Sequence, residues 1–180
     1  MTLEDEKGFI WIATNKGVYR FDGVHIKNCE LDRYDEIVSS NFPRLFLAKD
    51  SKGIIWVLSN RGLLQYYDPG KDRFVFFDDI LSPNGGENYT GTFYIDHNDQ
   101  FFIGLAQGMI VYLPTDKSYQ PLPQLTGKVN SMIQDANKNY YFGSSEGIFI
   151  FDKEKIFRQN LQEESAVWPL GGSKIHALNL

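Results

Sequence analysis

Apolar positions in this chain come in short bursts, and no stretch sustains the period of a helix. Phe9-Ile10-Trp11-Ile12-Ala13 and Ile54-Ile55-Trp56-Val57-Leu58 are each preceded by a polar turn, Glu6-Lys7-Gly8 and Ser51-Lys52-Gly53. Neighbouring residues within a burst are all apolar, which predicts strands buried on both faces. A second turn, Asn15-Lys16-Gly17 or Asn60-Arg61-Gly62, then returns the chain into Val18–Phe21 or Leu63–Tyr67. Aromatic and β-branched runs bounded by Asn, Asp and Gly are hairpin signals. A looser run such as Phe74-Val75-Phe76-Phe77 closes the unit. Ile156, Phe157 and Leu161 could make a turn of helix within Lys153–Glu164, a segment read as a long connection.

These units repeat. Asp5, Gly8, Trp11, Asn15 and Gly17 recur 45 residues on as Asp50, Gly53, Trp56, Asn60 and Gly62. In a third copy Asp96, Phe102, Gly108 and Tyr112 stand 91 residues after Asp5, Trp11, Gly17 and Phe21. The fourth follows after 39 more residues, with Asp135, Tyr141, Gly143, Gly147 and Phe151. Four antiparallel strands per unit at this period predict an all-β fold, a β-propeller of about four blades. The expected blades are 1–41, 42–91, 92–127 and 128–172. Residues 173–180 resemble the first strand of a further blade, because Ile175 and Leu178 align with Val129 and Met132. The chain is therefore expected to be an incomplete slice of a larger propeller, marginal or self-associating by itself; closure of a four-blade ring by the last strand is the alternative.

Composition narrows the function classes. The 180 residues are 42% hydrophobic, 23% charged and 15% aromatic, in keeping with a sheet-rich globular protein. A net charge of −5 argues against nucleic acid as a partner. No apolar run is long enough to span a membrane, and the N-terminus lacks the basic and apolar regions of a signal peptide. One cysteine, Cys29, allows no internal disulfide.

The stretch Glu4-Asp5-x-x-Gly8-Phe9-Ile10-Trp11-Ile12-Ala13-Thr14-x-x-Gly17-Val18-Tyr19-Arg20-Phe21-Asp22 resembles the two-component regulator propeller repeat. The second copy departs from that pattern at Leu58-Ser59, and the third and fourth lack the Trp. The third also has Asp99 where the family has Gly. The copies cover nearly the whole chain. The resemblance implies part of the periplasmic sensor region of a hybrid two-component histidine kinase of Bacteroides-type bacteria. In such proteins two propellers and a β-sandwich precede a membrane helix, a kinase, a receiver and a DNA-binding module, and the sensed ligand is an oligosaccharide. This segment would then have no kinase activity, no cofactor and no membrane contact. Its partners would be the ligand and the remaining blades or a second copy. A non-enzymatic scaffold in envelope or secretion assembly is the alternative, and a propeller lyase or hydrolase a further one, since streptogramin lyases have similar repeats.

Candidate residues sort by their place in the repeat. Trp11, Trp56, Phe102 and Tyr141 share one phase, as do Gly17, Gly62, Gly108 and Gly147, and recurrence in register marks packing and turn positions rather than ligand contacts. Asp5, Asp50, Asp96 and Asp135 are expected to cap the first turn of each unit by accepting backbone N–H bonds. The second turns and the blade-to-blade connections open on one face. That face carries Asn15, Lys16, Asn60, Arg61, Gln107, Glu146 and the loop 82–91 with Tyr89, and it is the expected ligand surface. Trp168, in Ala166–Gly172, is a candidate sugar-stacking residue outside the repeat. Asp135-Ala136-Asn137-Lys138-Asn139 imitates a calcium loop, but Tyr140 occupies the position that needs Gly, so no metal is expected. Asn88-Tyr89-Thr90 matches a glycosylation acceptor, which matters only in a eukaryotic secreted protein. His25, His97 and His176 have no metal-ligand spacing, Cys29 has no His partner in sequence, and no catalytic residue is assigned.

Overall fold

The computed structural model describes residues 1–38, 43–80, 91–122, 125–152 and 156. Each copy of the repeat folds as one antiparallel meander. The first sheet holds β1 (Thr2–Glu4), β2 (Ile10–Thr14), β3 (Gly17–Phe21) and β4 (Ile26–Cys29). A short helix, α1 (Tyr34–Val38), lies in the connection to the second sheet, β5 (Leu45–Lys49), β6 (Ile55–Ser59), β7 (Leu63–Asp68) and β8 (Arg73–Asp79). The third holds β9 (Thr92–Ile95), β10 (Phe101–Gly104), β11 (Met109–Leu113) and β12 (Ser118–Pro121). The fourth has three strands among the described residues, β13 (Val129–Gln134), β14 (Tyr140–Ser144) and β15 (Ile148–Phe151). The four sheets form a four-blade β-propeller with almost no helix. First strands of successive blades are neighbours, β1 beside β5, β5 beside β9 and β9 beside β13, and so line the axis.

The repeated Asp does what its position predicts. Asp5 Oδ1 accepts from Lys7 N at 2.9 Å and Phe9 N at 3.0 Å, and Oδ2 from Trp11 Nε1 at 2.8 Å. Asp50 repeats this with Lys52 N, Ile54 N and Trp56 Nε1 at 3.0, 2.8 and 3.0 Å. In the third blade Asp96 still caps Asn98 N and Gln100 N, at 2.9 and 2.8 Å, but Phe102 has no proton to donate. The hydroxyl of Tyr140, from the fourth blade, donates to Asp96 Oδ2 at 2.7 Å instead. Burial, then this hydrogen bond, push the Tyr140 hydroxyl pKa well above the usual tyrosine range. The four repeat glycines all have positive φ: 133° at Gly17, 94° at Gly62, 76° at Gly108 and 148° at Gly147.

Three apolar seams lie between successive blades. Trp11, Ala13 and Val18 meet Leu47, Val57 and Phe74 in the first, and Trp56, Leu58 and Leu64 meet Phe93, Phe101 and Ile103 in the second. Phe102, Met109 and Val111 meet Met132, Tyr140 and Phe142 in the third. Two expectations need correction. The first copy was expected to bury both faces of its central strand, and β6 and β10 do so, whereas in β2 Ile10 and Ile12 stay half-exposed. A second blade covers only the Trp11 face of β2. In the fourth copy the Trp phase splits in two. Tyr141 is half-buried and donates to Asp135 Oδ2 at 3.2 Å, while its neighbour Tyr140 takes the buried place, 1% exposed. Helix α1 carries no helical pattern in the sequence; it is a single turn with Glu36 N and Ile37 N both donating to Arg33 O. The expected strand 173–180 lies outside the described residues, as does Lys153–Glu164 apart from Ile156.

Candidate functional site

The face onto which the second turns open has a depression at the seam between blades three and four. It is a groove of about 490 Å³. Its floor and walls are Leu105, Met109, Ile110, Pro121, Leu122 and Leu125, and its rim carries the polar side chains of Gln107, Thr126 and Glu146. Apolar concavity with a few convergent polar groups is the usual form of a small-ligand site. Tyr119, 41% exposed, stands two residues before Pro121 in β12, hence on the same face of that strand.

The rim is held by the connection between the two blades. Gly108 N donates to Gly127 O at 2.8 Å, which ties the β10–β11 turn to it. From the other side Ser145 N donates to Lys128 O at 2.9 Å and Lys128 N to Ser145 Oγ at 3.1 Å, which ties down the β14–β15 turn. Gly127, at φ 69°, permits this approach, because a Cβ there would stand 2.6 Å from Ser145 Oγ and 3.0 Å from Glu146 Cγ. The Glu146 stem thus lies against the Gly127 backbone, and the Thr126 hydroxyl donates to Glu146 Oε2. A carboxylate fixed before any ligand arrives costs a ligand less ordering entropy.

Seam one–two is finished differently. Its connection runs along β8, where Phe74 N donates to Glu30 O at 2.8 Å and Phe76 N to Asp32 Oδ2 at 3.1 Å. Gln65, fully buried, clamps the same segment through Asp32 N at 2.9 Å and Asp32 O at 2.8 Å. Leu31 and Ile37 from this connection are buried in the seam, and Tyr34 Oη donates to Lys16 O at 3.3 Å, setting α1 against the β2–β3 turn.

The expected site residues fall into three groups. Asn15 and Lys16 are exposed at the β2–β3 turn, and Arg61 at the β6–β7 turn, each well outside the groove lining. Asn60 is 6% exposed: its N donates to Arg44 O at 2.9 Å and its Oδ1 accepts from Arg44 N at 3.2 Å, so its amide extends the β5–β6 ladder inside the fold. Tyr89 and Trp168 lie outside the described residues. Gln107 and Glu146, on the face singled out from the sequence, come together in the groove. Thr126, Gly127 and Tyr119 were missed; the available signal was the shorter interval between the third and fourth copies, which leaves a short strap over that seam.

The most strongly displaced titrations belong to tyrosines that tie blades together rather than to the groove. Tyr67 accepts from Arg20 Nη1 at 2.6 Å and donates to Asp72 Oδ1 at 2.5 Å, while Lys27 pairs with Asp72. Burial, then the bond to Asp72, push the Tyr67 hydroxyl up to about 12. Tyr112 bonds Asp78 across the next seam at 2.5 Å and is pushed up for the same reasons. Such ion-pair and hydroxyl networks shift pKa without catalysis. Among the described residues no three His, Cys, Asp or Glu side chains could hold a metal ion together, and no helix is long and apolar enough to cross a membrane.

No family model matches the chain, and no curated protein matches it. Solved structures do. The chain is similar to the extracellular domain of a protein assigned as a hybrid two component system of B. thetaiotaomicron, at 21% identity and TM-score 0.61, over 86% of this chain and 22% of that one. It is similar to PorZ, a surface component of the type-IX secretion system of Porphyromonas gingivalis, at 18% identity and TM-score 0.61, over 83% of this chain and 24% of that one. It is also similar to virginiamycin B lyase from Staphylococcus aureus, at 13% identity and TM-score 0.71, over 98% of this chain and 57% of the lyase. The chain thus spans less than a quarter of the length of the first two. At these identities the similarity establishes a fold, the β-propeller, shared by an extracellular domain of a hybrid two component system, a secretion component and a lyase.

Proposed function

We propose that this chain is part of the periplasmic sensor region of a hybrid two-component system, and that it binds an oligosaccharide in the groove between blades three and four. The observation that carries the reading is the groove itself, an apolar floor beneath a fixed carboxylate, with an amide and a hydroxyl at its rim. Sugars present apolar ring faces and hydroxyls together, which suits such a mixed lining. The walls belong to blade three and the strap, and the fourth blade adds Glu146 at the rim. A ligand that binds one blade arrangement better than another shifts the population of that arrangement, and this differential binding is the signal. The resemblance of the repeat to two-component sensor propellers supports the same reading.

The test is a thermal-melt screen of the chain against plant and host oligosaccharides, repeated with Gln107→Ala. Ligand at 100-fold above its dissociation constant adds about 2.7 kcal/mol of stability, a readable shift. A selective shift that Gln107→Ala diminishes is the expected result. The likeness to PorZ favours a second reading, a non-enzymatic scaffold in secretion assembly, for which a cooperative melt moved by no sugar is expected.

A further inference from the structure

The groove has a charge preference. Among the described residues Glu146 is the one acidic side chain in its lining, and none of them there is basic. Among the described residues its carboxylate has a single hydrogen-bond partner, the neutral Thr126 hydroxyl, and no ion pair. Lys128, at the end of the strap, is directed elsewhere: its Cε stands 3.3 Å from where a Cβ on Gly91 would be. By contrast Asp72, Asp78 and Asp32, three of the acids at the other blade junctions, each have a Lys or Arg partner, whereas Asp99 bonds the Ser51 hydroxyl and N–H. A lone carboxylate over apolar walls focuses its field into the cleft, and a hydrogen bond to an ammonium is stronger than one to a neutral donor.

We infer that the groove takes a glycan carrying a free, protonated amino group, a de-N-acetylated hexosamine, and discriminates against N-acetylated and uronic acid sugars. The inference rests on the sensor reading for the ligand being a sugar. In the bound state the ammonium replaces solvent at Glu146 Oε1, while Thr126 keeps Oε2 occupied and the ring lies on Leu105, Pro121 and Leu122. An acetamide cannot supply the charge, and a carboxylate is repelled by it.

The experiment is calorimetric titration below about pH 7, where amines are protonated, with three probes of equal length. The probes are a glucosamine oligomer, its N-acetylated counterpart and a galacturonate oligomer, with 1,5-diaminopentane as a sugar-free amine. The glucosamine oligomer is expected to bind about two- to fivefold more tightly than the N-acetylated one, in proportion to an exposed charge pair at Glu146. Glu146→Gln is expected to erase that preference, and Gln107→Glu to enlarge it, with both variants keeping the parent melting temperature. Equal or tighter binding of the N-acetylated or acidic oligomer overturns the charge inference and leaves the sensor reading standing. Equal binding of the diamine and the glucosamine oligomer, with no response to the other sugars, overturns the sugar reading instead. Binding of none overturns both.

Discussion

Seams one–two and three–four are built from the same repeat and end differently on the loop face. In the first, the connection from Glu30 to Arg44 is long enough to add α1 and to bury Leu31 and Ile37 between the blades. In the other, Leu122 to Lys128 is a short strap that contributes Leu122 and Leu125 to the core and leaves a groove above them. The difference lies in connection length rather than in the blades. It teaches that a propeller specialises where the repeat is silent, because strand positions are committed to packing and only connections vary freely.

The strongest way to break this comparison is to unplug the capped seam. Ile37→Ala removes a side chain that is 2% exposed, and a loss of about 2–5 kcal/mol is expected in denaturant unfolding. Ligand binding at the far seam should not change; if it does, the two seams are coupled and the contrast drawn between them fails. A smaller effect tests the open seam. Gly127→Ala places a Cβ 2.6 Å from Ser145 Oγ at a backbone φ of 69°, and should lose about 1–3 kcal/mol while displacing Glu146 and weakening ligand binding. Stability lost with binding intact would show that the strap does not shape the site.

Two adjacent tyrosines sharpen the same point. Tyr140→Phe leaves Asp96, 3% exposed, with an unpaired buried oxygen, for about 1–3 kcal/mol. Tyr141→Phe removes a bond inside a half-exposed turn, where Asp135 keeps the N–H and side-chain amide of Asn139, and should cost well under about 1 kcal/mol. Equal losses, measured by parallel urea melts, would contradict the cross-blade role of Tyr140. A further effect is at alkaline pH. The Tyr67 pKa is raised in the folded state from 10 to about 12, so its stabilising contribution is complete below about pH 10 and is lost as pH rises through about 12. Melts across that window should fall in stability, and Tyr67→Phe should flatten the slope.

Much of the fold was legible because packing residues must recur. Trp11 and Trp56 repeat with Asp5 and Asp50, and each indole N–H bonds its Asp at the same six-residue spacing. The loop face was legible as a surface, and Gln107 and Glu146 were on it, but the pairing of sequence neighbours in turns says nothing about which turns meet across a seam. Asn60 shows the limit. It resembles Asn15 in sequence, yet one is exposed and the other buried, since the β6–β7 turn is longer and brings its amide to Arg44.

The sequence by itself determined the local chemistry: strand, turn, capping Asp and positive-φ Gly, each set by interactions within a few residues. It determined the number of blades through the repeat. Only the tertiary structure decided how successive blades share groups. Tyr140 supplies the proton that Phe102 lacks, and the strap from Leu125 to Lys128 holds Glu146 over the groove. Those contacts join residues from different blades, and their geometry comes from packing two twisted sheets face to face, which no local pattern encodes.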